Sequence, residues 1–488
     1  MSKKSAIVIA AVLALVLLVG ALSACNKLKW EGVGGGDPTA PVESQFGFVI
    51  KQGNYIYFIN GYVGVNEDNT FGKQVKGGIM RMELDENGVP KADTSKLLVP
   101  MNVYTSDKNV GFAIYGKYIY YAAPNTEKDR AGNPSTKHLS IMRSDIDGGN
   151  PVRLLVLDNR DIEYKFYKDA IVYYDSTGKA LYYADLSSGK ADAAQSSLKK
   201  IAGNVADPVF SYEKNEKPAI ADYIVYTATR PAEEGEFYHE LRAVKFDGTG
   251  STLLADKSTY LPEGETDHTK FPGSVYQYTI VSSILDGDDL VIYYTKQIFE
   301  NQTTATRGLF MNKITLENGM PSFKVATEKE LSGTGTNTAL TPLGYDEGAL
   351  LAANSNIYLI VGYAPGGEDP NTYDSDSAVV GKSLSPTVLF VKDGYLYYLQ
   401  SAVLYRIDIY NAEARAEKLS SAISLATSWI TADIVGDGLY YFNSKDYTYT
   451  YRFDLTAEDG DEEGAFLMLG YMNDEDTQIK KEAEELNK

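Results

Sequence analysis

Tyr118-Ile119-Tyr120-Tyr121 is the phrase that decides the fold, because it returns along the chain. Its copies are Tyr55-Ile56-Tyr57-Phe58, Ile171-Val172-Tyr173-Tyr174, Tyr223-Ile224-Val225-Tyr226, Val291-Ile292-Tyr293-Tyr294, Ile357-Tyr358-Leu359-Ile360, Tyr395-Leu396-Tyr397-Tyr398 and Leu439-Tyr440-Tyr441-Phe442. A phrase repeated at such intervals marks one supersecondary unit whose copies stack to bury one another. Around the best-preserved copy the sequence breaks into four short apolar runs: Gly111 to Tyr115 (A), Lys117 to Ala122 (B), Leu139 to Arg143 (C) and Val152 to Val156 (D). They predict a small antiparallel sheet. Gln52-Gly53, Tyr115-Gly116 and Asp393-Gly394 mark the A-to-B turns, and Asp147-Gly148, Ser188-Gly189, Asp247-Gly248 and Asn318-Gly319 the C-to-D turns. These residue types accept the backbone conformations of tight hairpins.

The B strands are apolar on both faces, since Tyr55 and Tyr57 point one way while Ile56 and Phe58 point the other. Such a sheet must be covered twice, and radial stacking of four-stranded blades satisfies that condition. The expected fold is all-β, a β-propeller of four-stranded antiparallel blades. Eight copies fit residues 45–472. Seven remain if the irregular copy at Ile357, whose C strand is expected near Ser377-Ala378-Val379-Val380, is set aside. Composition agrees: among 488 residues there are 38 Tyr, 43 Gly and 17 Pro, which suits strands separated by tight turns. A pair of β-sandwiches would show no four-strand period.

The amino-terminal segment is an address rather than part of the body. Lys3 and Lys4 precede an apolar run from Ala6 to Val19 and then small residues, the three parts of a secretory signal. Leu22-Ser23-Ala24-Cys25 resembles the lipobox of bacterial lipoproteins. That resemblance implies removal of residues 1–24 and acylation (palmitate) of Cys25, which would anchor the chain in a membrane on the extracytoplasmic face of the cell envelope. Cys25 is the only cysteine, so no intramolecular disulfide can form. The net charge of -20, more negative still without Lys3 and Lys4, argues against nucleic-acid partners. Residues 25–44, rich in Gly and Pro, read as the lipidated start of a flexible tether of about 19 residues with a typical span of roughly 25 Å. Residues 473–488 read as an acidic tail.

Leu404-Tyr405-Arg406-Ile407-Asp408, Ile141-Met142-Arg143-Ser144-Asp145-Ile146-Asp147-Gly148 and Ile292-Tyr293-Tyr294-Thr295 resemble the bacterial propeller family known as DUF5050, similar to the β-propeller of low-density-lipoprotein-receptor-related proteins. The pattern departs from the receptor's Tyr-Trp-Thr-Asp phrase, with Tyr in place of Trp and Lys296 where the acidic residue would stand. The resemblance implies a fold and a surface location, with no assigned reaction.

Signatures of catalysis are sparse. There is no Gly-x-Ser-x-Gly elbow, and His138, His239 and His268 lack metal-ligand spacing. No metal or cofactor is expected. Asp145 to Asn150 lacks the spacing of a calcium loop and falls at a C-to-D turn. Asp286, Asp288, Asp289, Asp346 and Glu347 keep one alternative open, a glycan-active propeller enzyme whose carboxylates converge in the central funnel. An accessory subunit of an envelope complex is another.

Long connections suggest a binding face instead. The B-to-C segments are extended at Gly61 to Gly77, Pro124 to Lys137, Thr229 to Tyr238, Lys296 to Thr306 and Gly362 to Ser375, and insertions gathered on one face of a repeat array form binding surfaces. Within them Tyr62, Phe71, Arg130, Phe237, Tyr238, Phe299 and Tyr373 are the candidate ligand-binding residues, because aromatics and Arg carry disproportionate contact energy. The expected function is a lipid-anchored surface protein that recognises a protein or polysaccharide ligand through that face.

Overall fold

The computed structural model describes residues 32–469 apart from 44–46, 62–76, 105–110, 126, 129–130, 159–161, 168, 211–218, 232–236, 268–269, 271–274, 287, 301–303, 331–340, 347–348, 354–356, 362–378, 382–386, 401–402, 409–414, 421–422, 424–431, 444–445 and 458–465. Within them the chain is all-β and forms successive sheets whose neighbouring strands are antiparallel but for one short parallel contact. The first sheet holds Val42–Glu43, Val49–Gln52, Tyr55–Ile59, Ile79–Glu83 and Lys96–Val99; the second Ala113–Tyr115, Tyr118–Pro124, Leu139–Asp145 and Val152–Leu157. The third holds Ile162–Tyr167, Ala170–Asp175, Ala180–Asp185 and Lys199–Gly203.

A nine-stranded sheet follows and divides into two sets. Val205–Val209, Tyr223–Pro231, Phe237–Lys245 and Thr252–Ala255 form one; Val275–Asp286, Asp289–Glu300, Thr304–Glu317 and Met320–Phe323, with Lys329–Glu330 beside them, form the other. A single parallel pairing, His239 with Gln277, joins the sets. Three further sheets complete the body: Thr341–Asp346, Ala349–Ala353, Ile357–Val361 and Val379–Gly381; Thr387–Lys392, Tyr395–Gln400, Val403–Asp408 and Glu417–Ser420; and Ala432–Val435, Gly438–Asn443, Asp446–Asp454 and Phe466–Met468. Counting the two sets separately, the strands fall into units numbered first to eighth in chain order.

Where the side chains of second strands are described, they are covered on both faces, as the sequence requires. Tyr57, Tyr120, Tyr121, Tyr223, Tyr293, Tyr294, Tyr398, Tyr440 and Tyr441 are all fully buried. Apolar clusters bridge neighbouring units: Tyr120, Leu155 and Ile171 between the second and third, Tyr174 and Ile224 between the third and fourth, Leu241 and Tyr294 between the fourth and fifth, Tyr397 and Leu439 between the seventh and eighth. The inner strand Thr341–Asp346 touches those on either side, Val275–Asp286 and Thr387–Lys392. Burying one such aromatic stabilises by roughly 1.5–3 kcal/mol, so these seams hold the assembly.

The last unit also packs on the first. Phe48 and Phe442 meet with ring centroids 4.6 Å apart inside one shared cluster. Asp433 accepts the backbone N–H groups of Phe48 at 2.9 Å and Val49 at 3.3 Å. Buried Thr450 donates to the carbonyl of Ile59 at 2.5 Å and accepts the N–H of Gly61 at 3.2 Å.

A second device repeats with the tyrosines. Arg81, Arg143 and Arg406 stand on third strands opposite Tyr57, Tyr120 and Tyr397, and each guanidinium covers the ring two residues earlier on the neighbouring strand: Tyr55 at 4.7 Å, Tyr118 at 4.0 Å and Tyr395 at 5.1 Å. Such contacts contribute about 0.5–2 kcal/mol and keep half-exposed tyrosines in place.

The turns follow the expected chemistry. Asn318 and Gly319 have φ of 52° and 77°, and Asp393 and Gly394 of 50° and 78°, the mirror-image hairpin conformation. One phrase is reassigned. Ile357–Val361 is the third strand of its sheet, and Ala349–Ala353 is the second. The second strand here carries no tyrosine, so the phrase fell one strand late. The segment from 362 to 378 therefore connects third to fourth strand and leaves from the end opposite the second-to-third connections.

Candidate functional site

Two of the expected loops are strand. Thr229, Arg230 and Pro231 pair with His239, Tyr238 and Phe237, and the hairpin of the fifth unit runs on through Lys296–Gly308, Ile298–Thr306 and Phe299–Ala305 to Glu300–Thr304. β-branched residues at Thr304 and Thr306 favour this continuation over a loop. Neighbouring units thus project prolonged hairpins side by side. Second-to-third connections are tight between Asp175 and Ala180 and between Gln400 and Val403, whereas Ile59 to Ile79 and Pro124 to Leu139 are joined by the long segments expected from the sequence.

Three of the candidate residues, Phe237, Tyr238 and Phe299, stand at the ends of these hairpins. Tyr62, Phe71, Arg130 and Tyr373 lie outside the described residues, as do Cys25, His268 and the tail from 473 to 488.

Below Tyr238 the fourth unit is braced by charge. Strand alternation places Tyr238, Glu240 and Arg242 on one face. Glu240, only 5% exposed at its side chain, accepts from Arg230 Nε at 2.5 Å and from Arg242 Nε. The hydrogen bond to Glu240 raises the Arg230 guanidinium above its ordinary range, and burial raises the Tyr238 phenol. Lys257 Nζ lies 5.3 Å from the Tyr238 ring centre. On the opposite face His239 spans the two units: Nε2 is 3.2 Å from Thr229 Oγ1, and Nδ1 is 3.4 Å from Gln277 Nε2. Burial lowers its pKa, so the ring is kept neutral.

The fifth unit has a more enclosed brace. Lys296 is 7% exposed and pairs with Glu328, which is 9% exposed. The hydroxyls of Tyr260 and Tyr294 donate to the other oxygen of Glu328. The Lys296 ammonium also lies 4.3 Å from the centre of the Tyr260 ring and 3.8 Å from that of Phe310. Burial, first, and the Glu328 charge hold the Tyr260 and Tyr294 phenols well above their usual range. A buried ion pair survives when further hydrogen bonds satisfy its members, and here the carboxylate has three donors. Sequence reading noted Lys296 as a departure from the receptor phrase but could not find Glu328, which follows a 3-10 turn at Val325–Thr327.

Glu240 and Glu328 are each neutralised by cations, and Asp286, Asp289 and Asp346 sit at turns between first and second strands. Among the described residues no three His, Cys, Asp or Glu side chains gather as a metal would need.

Comparisons with known proteins give distant structural likeness alone. No family profile matches the chain, and no curated protein matches it. Among solved structures it is similar to apo AztD from Citrobacter koseri, with 14% identity over 82% of this chain and 92% of that one at a TM-score of 0.39. It is also similar to dipeptidyl peptidase 4 of Porphyromonas gingivalis, with 11% identity over 91% of this chain and 61% of that one at a TM-score of 0.42. An acylaminoacyl peptidase of Pyrococcus horikoshii matches at 12% identity over 74% of this chain and 51% of its own, TM-score 0.34. Likeness at this level carries no activity to the present chain.

Proposed function

We propose that the chain is a lipid-anchored recognition protein of the cell envelope, held through Cys25, whose body is an eight-bladed propeller. Its docking face is built on the paired hairpins of the fourth and fifth blades. The propeller reading draws on the eight strand quartets, each packed on the next, and on the contact of the last with the first through Phe442, Asp433 and Thr450. The observation that carries the binding reading is the pair of prolonged hairpins. The fourth unit's hairpin is joined to the fifth unit's first strand at His239 and Gln277, both hairpins are braced from below by Glu240 and Glu328 with their cations, and they end in Phe237, Tyr238 and Phe299. Rigid support beneath aromatic contacts reduces the ordering cost of binding. The ligand class is a protein or polysaccharide of the envelope.

The test uses the triple variant Phe237→Ser/Tyr238→Ser/Phe299→Ser in native membranes. Cross-linking and mass spectrometry should show loss of the species that the parent captures, with an unchanged melting temperature. Capture of the same species at the same yield would remove the hairpins from the function. Cys25→Ala should release the chain from the membrane fraction and abolish palmitate labelling.

A further inference from the structure

The junction of the first and second units departs from its counterparts. Elsewhere a third-strand arginine reaches directly into the next unit's third-to-fourth turn: Arg143 Nη2 donates to the Gly189 carbonyl at 3.3 Å, and Arg406 Nη1 to that of Leu455 at 3.3 Å. Arg81 has the same place opposite Tyr57, but the carbonyl it reaches at 2.6 Å belongs to Gly34. One residue earlier, the Val33 N–H donates to Asp147 at 3.0 Å, in the second unit's turn. Residues 33–34 are thus spliced into a bond that other junctions make directly.

The rest of this segment is fitted just as closely. Gly34, Gly35 and Gly36 have φ of 70°, 77° and 98°, which L side chains rarely adopt. A Cβ on Gly36 would lie 3.1 Å from Ile146 Cγ2 and 3.3 Å from both Arg81 Nη1 and the Tyr57 hydroxyl. Buried Gln52 donates Nε2 to the Ala40 carbonyl at 3.4 Å and to that of Gly116 at 3.3 Å. Val42–Glu43 then adds a strand to the first sheet, with Lys51 paired to Glu43 at 2.9 Å. Of the expected tether 25–44, residues 32–43 are therefore laid on the body.

We infer that residues 32–43 are a strap that fixes where the anchor leaves the body, so that the hairpins of the fourth and fifth units face away from the bilayer. The strap runs along the end of the units where the first-to-second and third-to-fourth turns lie, marked by Gly53, Gly116 and Asp147. Second-to-third connections leave from the other end, because successive antiparallel strands alternate in direction. The chain from Cys25 to Gly32 reaches at most about 25 Å when fully stretched, against about 65 Å for a free tether of about 19 residues. The 12 residues of Asp289–Glu300 carry their hairpin about 40 Å from the strapped end. The inference rests on the lipid-anchored reading.

The test reconstitutes the full acylated chain in phosphatidylcholine and phosphatidylglycerol vesicles containing an acceptor dye on the headgroups. A donor is placed by Asn87→Cys, in a third-to-fourth turn, or by Thr177→Cys, in a second-to-third turn, both exposed. Energy transfer should be several-fold stronger from position 87. In Gly35→Val/Gly36→Val, folded by its melting temperature, the two positions should become equal. In detergent, amide exchange at Val33 should be slow in the parent and fast in this variant. Equal transfer from both positions in the anchored parent, or an unprotected Val33 amide, overturns the strap. Retention of Cys25→Ala in the vesicles overturns the anchoring reading beneath it.

Discussion

Between the fourth and fifth units the chain makes one continuous sheet, joined by the pairing of His239 with Gln277 and stiffened by Glu240 and Glu328 with their cations. Between the eighth and first units the joining is done by side chains: Asp433 to the amides of Phe48 and Val49, Thr450 to Ile59 and Gly61, and Phe442 against Phe48. The first junction is made by neighbours in sequence and can draw on backbone pairing. The second brings together residues 385 positions apart, and its strength comes from burial. A defect in the first should be local, whereas a defect in the second should open the whole.

Deletion of residues 430–488 breaks that contrast most severely. It uncovers Phe48, Tyr57 and their neighbours, and circular dichroism should show cooperative loss of the entire fold. A truncated chain that melts cooperatively near the parent's temperature would show instead that the units stand alone, as in open repeat arrays.

Next in size is Lys296→Met, which leaves Glu328 buried without its cation and should cost about 3–5 kcal/mol in denaturant unfolding. Lys296→Met/Glu328→Gln should recover much of the loss, since both charges are then gone. If the single variant costs less than about 1 kcal/mol, the ion pair is no brace, and the fourth-to-fifth junction rests on backbone pairing and apolar packing.

The smallest effect sharpens the seam. Burial pushes the Asp433 carboxyl up to about 7, with the Phe48 and Val49 amides opposing part of the rise. An acid raised on folding stabilises the native state fully below its unfolded value near pH 4 and loses that contribution as pH rises through 7. Asp433→Asn keeps an acceptor oxygen but no titrating proton. Its melting temperature should gain on the parent's between pH 5 and pH 8, and a difference that stays constant with pH would mean that the carboxyl is solvated.

Much of this architecture was readable in advance, because a strand that is apolar on both faces admits few packings. The Tyr118 phrase, its glycine turns and the burial of Tyr57, Tyr120, Tyr294 and Tyr440 all follow from local pattern. The phrase misled at Ile357, where Ala349–Ala353 fills the second position with small and aliphatic residues that carry no distinctive signal. The polar run from Lys296 to Thr306 suggested a loop, although pairing across a hairpin carries strand out to Glu300 and Thr304. The braces were hidden for another reason. Lys296 and Glu328, or Asp433 and Phe48, meet only in three dimensions, and no spacing along the chain announces them. The Gly34-Gly35-Gly36 run reads as a spacer because glycine takes positive φ freely, and the same freedom lets Gly36 sit against Ile146, Arg81 and Tyr57.

The aromatic contact of Phe48 with Phe442 also sets a schedule for biogenesis. At ribosomal speeds of about 5–20 residues per second, the partner surface of Val49 is finished roughly 20–80 s after Val49 itself is made. For that interval the earliest sheet presents an oily flank with nothing to cover it, the kind of surface on an unfinished chain that chaperones shield.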